Sequence, residues 1–291
     1  RERELVRVGH VPDLDRVVGR DKEIESMGSA LAPAVRGGPP ETTIVYGKTG
    51  TGKSLVARCV TRAATRRASE NGNTFAYAYI DCSDYGTEAQ ASRQMARELH
   101  ERLGDAVDDR SIPRRGIGAA DYRDITWELL TEGDVDAFVV VLDEIDKLDG
   151  DALLRSLSRA QESGKADTFV GVICISNKIE YRERLGERVD SSLQDNELVF
   201  DPYDATQIEA ILSRRRDAFS DGVLDDDVIP KTAALAAREH GDARKAIDML
   251  YEAGRLAEQE QATHVTEAHV DEAVDRAEIN RFQKLVSGQT P

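Results

Sequence analysis

The sequence is short of the residues that mark extracellular or membrane proteins. Cysteine occurs three times in 291 residues, as Cys59, Cys82 and Cys174. These are too scattered for a disulfide framework or a metal cluster, and two of them fall in strand-like runs. They read as small buried hydrophobes of a reducing compartment, and the expected location is the cytoplasm. The five histidines, His264 and His269 among them, add no cluster that would hold a metal. No stretch approaches the ~18 consecutive apolar residues of a membrane span, so no membrane partner is expected. The first residues, RERELVRVGHV, contain neither an apolar signal core nor a methionine, and the expectation is a segment excised from a longer protein.

Lysine is scarce too, at nine of the 39 basic residues, whereas Asp and Glu total 55 and the net charge is −16. Phosphate contacts dominate nucleic-acid affinity, so an acidic chain is ordinarily a poor binder. In a cytoplasm of very high salt the Debye length falls to about 3 Å or less, and an acidic surface no longer repels DNA at range. Few lysines among dense carboxylates suit salt adaptation. Net charge therefore does not exclude a DNA partner.

The most informative run that is present is Gly47-Lys48-Thr49-Gly50-Thr51-Gly52-Lys53-Ser54, followed by Leu55. It fits G-x-x-x-x-G-K-[ST] between a β-rich run (42–46) and a helical one (55–67). A loop between a strand end and a helix start converges backbone N–H groups on one point, where the helix dipole adds positive potential. Lys53 is expected at the β/γ-phosphates and the Ser54 hydroxyl at Mg²⁺. The chain is expected to bind a nucleoside triphosphate, ATP or its product ADP. A second apolar run, 137–142, ends in Asp143-Glu144-Ile145-Asp146. Asp143 is expected to hold Mg²⁺ through water, and Glu144 to orient and polarise the attacking water. A third buried run, 170–176, ends at Asn177, whose amide suits a sensor of the γ-phosphate; a plain turn residue is the alternative.

Helices are expected at 21–35, 87–103, 121–131 and 151–161, and strands at 74–81, 137–142, 169–176 and 197–200. Strands alternating with helices give a doubly wound parallel α/β sheet. Beyond Pro202 only helices are expected, at 205–219, 229–239, 242–259 and 266–285. The domains are thus residues 1–201, an α/β core with an N-terminal arm, and 202–291, a helical module. Arg244 falls in the first turn of a helix capped by Asp242, against the dipole, so a compensating anion is expected there. The γ-phosphate is one candidate and plain solvation the alternative.

On the segments VPDLDRVVGRDKEI (11–24), VYGKTGTGKSLVAR (45–58), VVVLDEIDKL (139–148), ISNKIEYRERLGERVDSSL (175–193), VFDPYDATQIEAILSRR (199–215) and GDARKAIDML (241–250), the chain resembles the archaeal origin-recognition and replication-initiator proteins. These are the ORC/CDC-type branch of the AAA+ ATPases, and this chain looks like a salt-adapted member. The resemblance implies an AAA+ P-loop core followed by a helical lid. It places Val18, in the arm, beside the adenine, and Tyr203 and Arg215 at the nucleotide; Asn177 becomes sensor one and Arg244 sensor two. It implies an ATP-binding switch with weak ATPase activity, double-stranded origin DNA and the replicative helicase as partners, and oligomers with other initiator copies. The insertion 105–118 stands where initiators carry a DNA wedge. Ile112-Pro113-Arg114-Arg115 fits an apolar-plus-arginine wedge, with a solvated loop as the alternative.

The chain departs from the pattern in three respects. Ser192-Leu193 replaces a Ser-Arg pair, leaving Arg188 as the substitute arginine finger. The usual winged-helix domain does not follow before Pro291, and the acidity is unusual outside salt-adapted members. A clamp-loader or branch-migration ATPase subunit, and a scaffold holding ADP structurally, are the competing functions.

Overall fold

The computed structural model describes residues 12–107, 111–160, 167–178, 181 and 196–286, which fall into two compact units. The α/β unit comprises 20–48 and 52–200. The helical unit comprises the chain up to Gly19, the three residues Thr49–Thr51, and everything from Asp201 onward. The described part of the arm, residues 12–19, groups by contact with the helical unit.

The α/β unit runs α1 (Asp21–Val35), β1 (Thr43–Gly47), α2 (Lys53–Glu70), β2 (Phe75–Asp81), α3 (Glu88–Leu103), α4 (Ala119–Glu132), β3 (Ala137–Asp143), α5 (Ala152–Ser158), β4 (Phe169–Ser176) and β5 (Glu197–Phe200). Its five strands form one parallel sheet in the order β2-β3-β4-β1-β5. Every residue of β1 and β3 is buried, which explains continuous apolar runs rather than alternation: helices cover both faces. Helix α3 begins at a reciprocal capping box between Thr87 and Gln90 and stops at Gly104, whose φ of +50° no branched residue takes up easily. Its apolar stripe, Ala91, Met95 and Leu99, joins Leu129, Leu130, Ile80 and Phe138 in one core.

All three cysteines are free and buried. Burial pushes the Cys174 thiol up to about 12 and raises that of Cys82, where the Cys174, Asp143, Asp81 and Asp146 charges add to the effect. Such thiols stay protonated and inert, as small hydrophobes would.

The helical unit contains α6 (Ala205–Ser213), α7 (Val228–Arg238), α8 (Ala243–Gln259) and α9 (Glu267–Val286). Buried Ala246, Ile247, Leu250, Ala253, Leu256 and Ala257 repeat at helical spacing along α8 and centre its core. The single helix expected over 205–219 is a shorter helix plus a 3-10 turn at Arg216–Ala218. The Arg215 guanidinium donates back to the Ile211 carbonyl at 3.1 Å, satisfying a helix-end acceptor, and Phe219 turns against the helical core. Asp204 and Gln207 cap α6 reciprocally, at 2.7 and 3.1 Å. No helix among the described residues is long and apolar enough to cross a membrane.

Phe138 is fully buried near the start of β3. Phe138→Ala should destabilise the α/β unit by about 3–5 kcal/mol through lost burial and the cavity left behind. A fall in the urea midpoint at unchanged slope is the expected reading.

Candidate nucleotide site

Parallel pairing fixes where the functional loops emerge. Tyr46 of β1 pairs with Ser176 of β4, and Leu142 of β3 pairs with Cys174 of β4. The carboxyl ends of β1, β4 and β3 therefore lie side by side, and the next residues along each strand are Gly47, Asn177 and Asp143. This edge is where open α/β sheets bind ligands.

The loop leaving β1 turns through Gly50 and Gly52, at φ of +79° and +89°, conformations that side-chain-bearing residues rarely adopt. Gly52 caps α2 without a side-chain hydrogen bond, and the first turn of α2 carries no acidic residue. The positive end of that helix is thus not neutralised by its own sequence, which suits an anion. Lys53 is buried, and its ammonium donates to the Gly47 and Lys48 carbonyls at 2.7 and 2.6 Å. A buried ammonium at the N-terminus of α2 adds its positive charge to that of the helix end, where a polyphosphate would sit. Ser54 and Leu55 follow in the first turn and are half-buried.

Asp143 ends β3 and is buried. One carboxylate oxygen accepts the Glu144 backbone N–H at 3.0 Å, the other accepts the Tyr79 hydroxyl, and the Asp143 carbonyl accepts the Cys82 N–H at 2.8 Å. Burial, with the Asp143 charge beside it, holds the Tyr79 phenol far above its ordinary pKa, so it stays a donor. The Arg58 guanidinium lies over the Tyr79 ring at 3.7 Å. Glu144 takes a left-handed backbone at φ +50°, and the Asn177 amide donates to its Oε1 at 3.2 Å. Asp146, with its carboxylate 4 % exposed, accepts from Ser176 Oγ at 3.0 Å and pairs with Lys178 at 3.1 Å. The α/β unit therefore brings Gly47, Lys48, Gly52, Lys53, Ser54, Asp143, Glu144 and Asn177 to one end of the sheet. Tyr79 and Asp146 were given no role from sequence. Tyr79 sits opposite Val141 across two strands, a pairing that only the fold creates.

The helical unit holds the other expected residues. Tyr203 is buried in its core, where the Tyr203 N–H donates to Gly241 O at 3.2 Å, and Val18 packs on the same core. Burial draws the Arg215 pKa down. Arg244 is exposed in the first turn of α8, where Asp242 accepts its N–H at 2.8 Å. The carboxyl of Asp248, one turn on, is raised by burial and by Asp242 and Glu252, with Arg244 pulling the other way. Arg188 and the Ser192-Leu193 pair lie outside the described residues.

Comparison with known proteins now adds the family. Residues 16–171 match the AAA ATPase domain, and residues 209–275 match the Cdc6 AAA+ ATPase-type lid domain. The chain is 48 % identical over 286 residues to the ORC1-type DNA replication protein 4 of Halobacterium salinarum, covering 98 % of this chain and 68 % of that one. The chain belongs to the ORC/Cdc6 family of AAA+ proteins. It is 45 % identical over its full length to the ORC1-type DNA replication protein 17 of Haloarcula marismortui, covering 71 % of that protein. Among solved structures it is similar to Aeropyrum pernix ORC1 in complex with DNA, with a TM-score of 0.83 and 36 % identity, over 100 % of this chain and 73 % of the other. As an AAA+ ATPase family, ORC/Cdc6 implies nucleotide binding, and the loop around Lys53 fits that ligand. Both curated relatives come from halophilic archaea, in keeping with the salt-adapted reading of the composition.

Lys53→Ala should weaken ATP binding by about 100-fold or more, because it deletes the buried cation of the loop. Calorimetry giving unchanged affinity would remove the phosphate-loop assignment.

Proposed function

We propose that this chain is an ATP-switched replication initiator that binds double-stranded origin DNA and supports loading of the replicative helicase. The observation that carries the reading is the meeting of Lys53, Asp143, Glu144 and Asn177 at three neighbouring strand ends, in a chain of the ORC/Cdc6 family.

In this reading the α2 N-terminus and Lys53 seat the ATP polyphosphate. Ser54 and Asp143 are the residues that would hold Mg²⁺, which would supply positive charge to the reacting polyphosphate. Glu144 orients the attacking water and accepts its proton. The Asn177 amide occupies Oε1 of Glu144, which leaves Oε2 for that water. Gly47, Lys48, Thr49, Gly50, Thr51, Gly52 and Leu55 complete the loop. Val18, Tyr203 and Arg215 serve the base and ribose side, Arg244 reads the γ-phosphate, and Arg188 acts across a contact with a second initiator copy.

The DNA-touching element in this proposal is the insertion. Arg114 and Arg115 are exposed, whereas Ile112 packs against the α/β core. Ile112 of the expected wedge is thus turned inward, whereas Pro113 and the arginine pair face outward. Arg93 and Tyr122 both donate to the Pro113 carbonyl, at 3.1 and 2.9 Å, and fix the loop to α3 and α4. A pinned loop presents its two cations without the full entropy cost of ordering them on DNA.

Glu144→Gln should retain ATP affinity but slow single-turnover hydrolysis by about 100-fold or more, since an amide cannot take the proton. Near-wild-type turnover would refute the base. Changing Arg114 and Arg115 to Ala in the full-length protein should weaken duplex binding and lower the salt slope by up to about two phosphate contacts, at unchanged ATP affinity. Wild-type affinity and slope would return the insertion to a solvated loop.

A further inference from the structure

Asp146 has no part in the chemistry proposed above, yet both its oxygens are engaged. It lies in the 3-10 turn Ile145–Lys147 just past β3. Its two partners, Ser176 and Lys178, are the residues on either side of Asn177. The buried Ser176 hydroxyl has one proton and two acceptors within reach, Asp146 Oδ1 at 3.0 Å and the Lys178 carbonyl at 3.3 Å. The shorter contact to a charged acceptor is the stronger one. The same hydroxyl oxygen accepts the Lys178 N–H at 3.1 Å, so it also shapes the turn that carries Asn177. The Lys178 side chain is 58 % exposed, and its ion pair with Asp146 is the weaker tie.

These bonds join the segment after β3 to the segment after β4 on both flanks of Asn177. The backbone of Asn177 is then fixed relative to Glu144, two residues before Asp146. With its two neighbours tethered, the Asn177 amide has little freedom left, and it meets Glu144 Oε1 at 3.2 Å.

We infer that Asp146 is a positioning residue that holds the Asn177 amide on Glu144, coupling the γ-phosphate sensor to the base that activates water. The inference rests on the nucleotide reading above for its consequence in hydrolysis, and on geometry alone for the positioning itself.

The test uses the full-length protein and two readouts. One is the ¹⁵N side-chain amide resonance of Asn177 without nucleotide. The other is ATP affinity together with single-turnover hydrolysis. Asp146→Ala should move the Asn177 amide resonance toward the position of a free amide. It should keep ATP affinity within about threefold and slow hydrolysis about 10-fold or more, as loss of supporting contacts does elsewhere. Asp146→Asn keeps an acceptor for Ser176 and should recover part of both effects. Adding Asn177→Ala to Asp146→Ala should slow hydrolysis no further than Asn177→Ala alone, because the two act as one unit. If Asp146→Ala does not fold, Ser176→Ala removes the stronger tie and should reproduce the resonance shift. An unmoved Asn177 resonance in Asp146→Ala or Ser176→Ala overturns the inference, as do fully multiplicative rate effects in the double variant. A moved resonance in a protein that neither binds nor hydrolyses ATP upholds the positioning and overturns the nucleotide reading instead.

Discussion

The parallel register of β1, β4 and β3 is the constraint on which the site depends. Parallel strands deliver the chain to the same end of the sheet each time, so Gly47, Asn177 and Asp143 become neighbours although they are far apart in sequence. Apolar patterning fixes this register only weakly, because strands buried on both faces are hydrophobic throughout. The polar ends supply what the pattern lacks. Sliding β3 one residue inward would carry the Asp143 carboxylate into a core of Val, Ile and Leu, which costs several kcal/mol for an unpaired charge. The acid assigned to Mg²⁺ therefore also acts as a stop for the strand that bears it.

Much of this was legible in the sequence, and the reason is local. The five strands and most helices declare themselves through uninterrupted apolar runs, 3.6-residue spacing and caps such as Thr87, Asp204 and Asp242. The phosphate loop is a contiguous motif whose geometry follows from its glycines. What stayed hidden required contacts between distant segments. Tyr79 is an ordinary strand aromatic until the β2–β3 pairing brings its hydroxyl to Asp143. Asp146 was visible as the fourth letter of an acidic run, and nothing local shows that its partners lie beyond β4. The family resemblance makes Ile112 an exposed wedge residue, and only the packed structure shows an apolar surface within its reach.

The excess of arginine over lysine is also explained by contacts. Arg20 is buried, paired with Glu23 at 2.8 Å and set over the Phe200 ring at 5.2 Å; Arg102 lies over the Tyr77 ring at 3.6 Å. A planar, weakly hydrated guanidinium stacks on rings and accepts burial, whereas a compact ammonium does neither well. At high ionic strength the exposed ion pairs along α3, Arg97–Glu101 and Arg102–Glu98, are largely screened. Stacked and buried arginines lose less, since salt does not enter those contacts. Arginine thus does structural work in the α/β unit that survives the conditions suggested by the acidic surface.

The strained backbone of Glu144 follows from its neighbours. Asp143 must end a strand, and Ile145 is 1 % exposed in the α/β core, so the chain has to reverse direction within one residue. A left-handed residue does this, at a cost of about 1–3 kcal/mol for a side-chain-bearing type. Glycine would relieve that cost and would delete the carboxylate. Two bonds hold the conformation instead: Asp143 accepts the Glu144 N–H, and the Glu144 carbonyl accepts the Lys147 N–H at 2.8 Å to close the following turn. That turn in turn presents Asp146 to Ser176 and Lys178. The strain at the base and the anchoring of the sensor are therefore one arrangement, set by a strand-end acid and a core isoleucine standing on either side of a single glutamate.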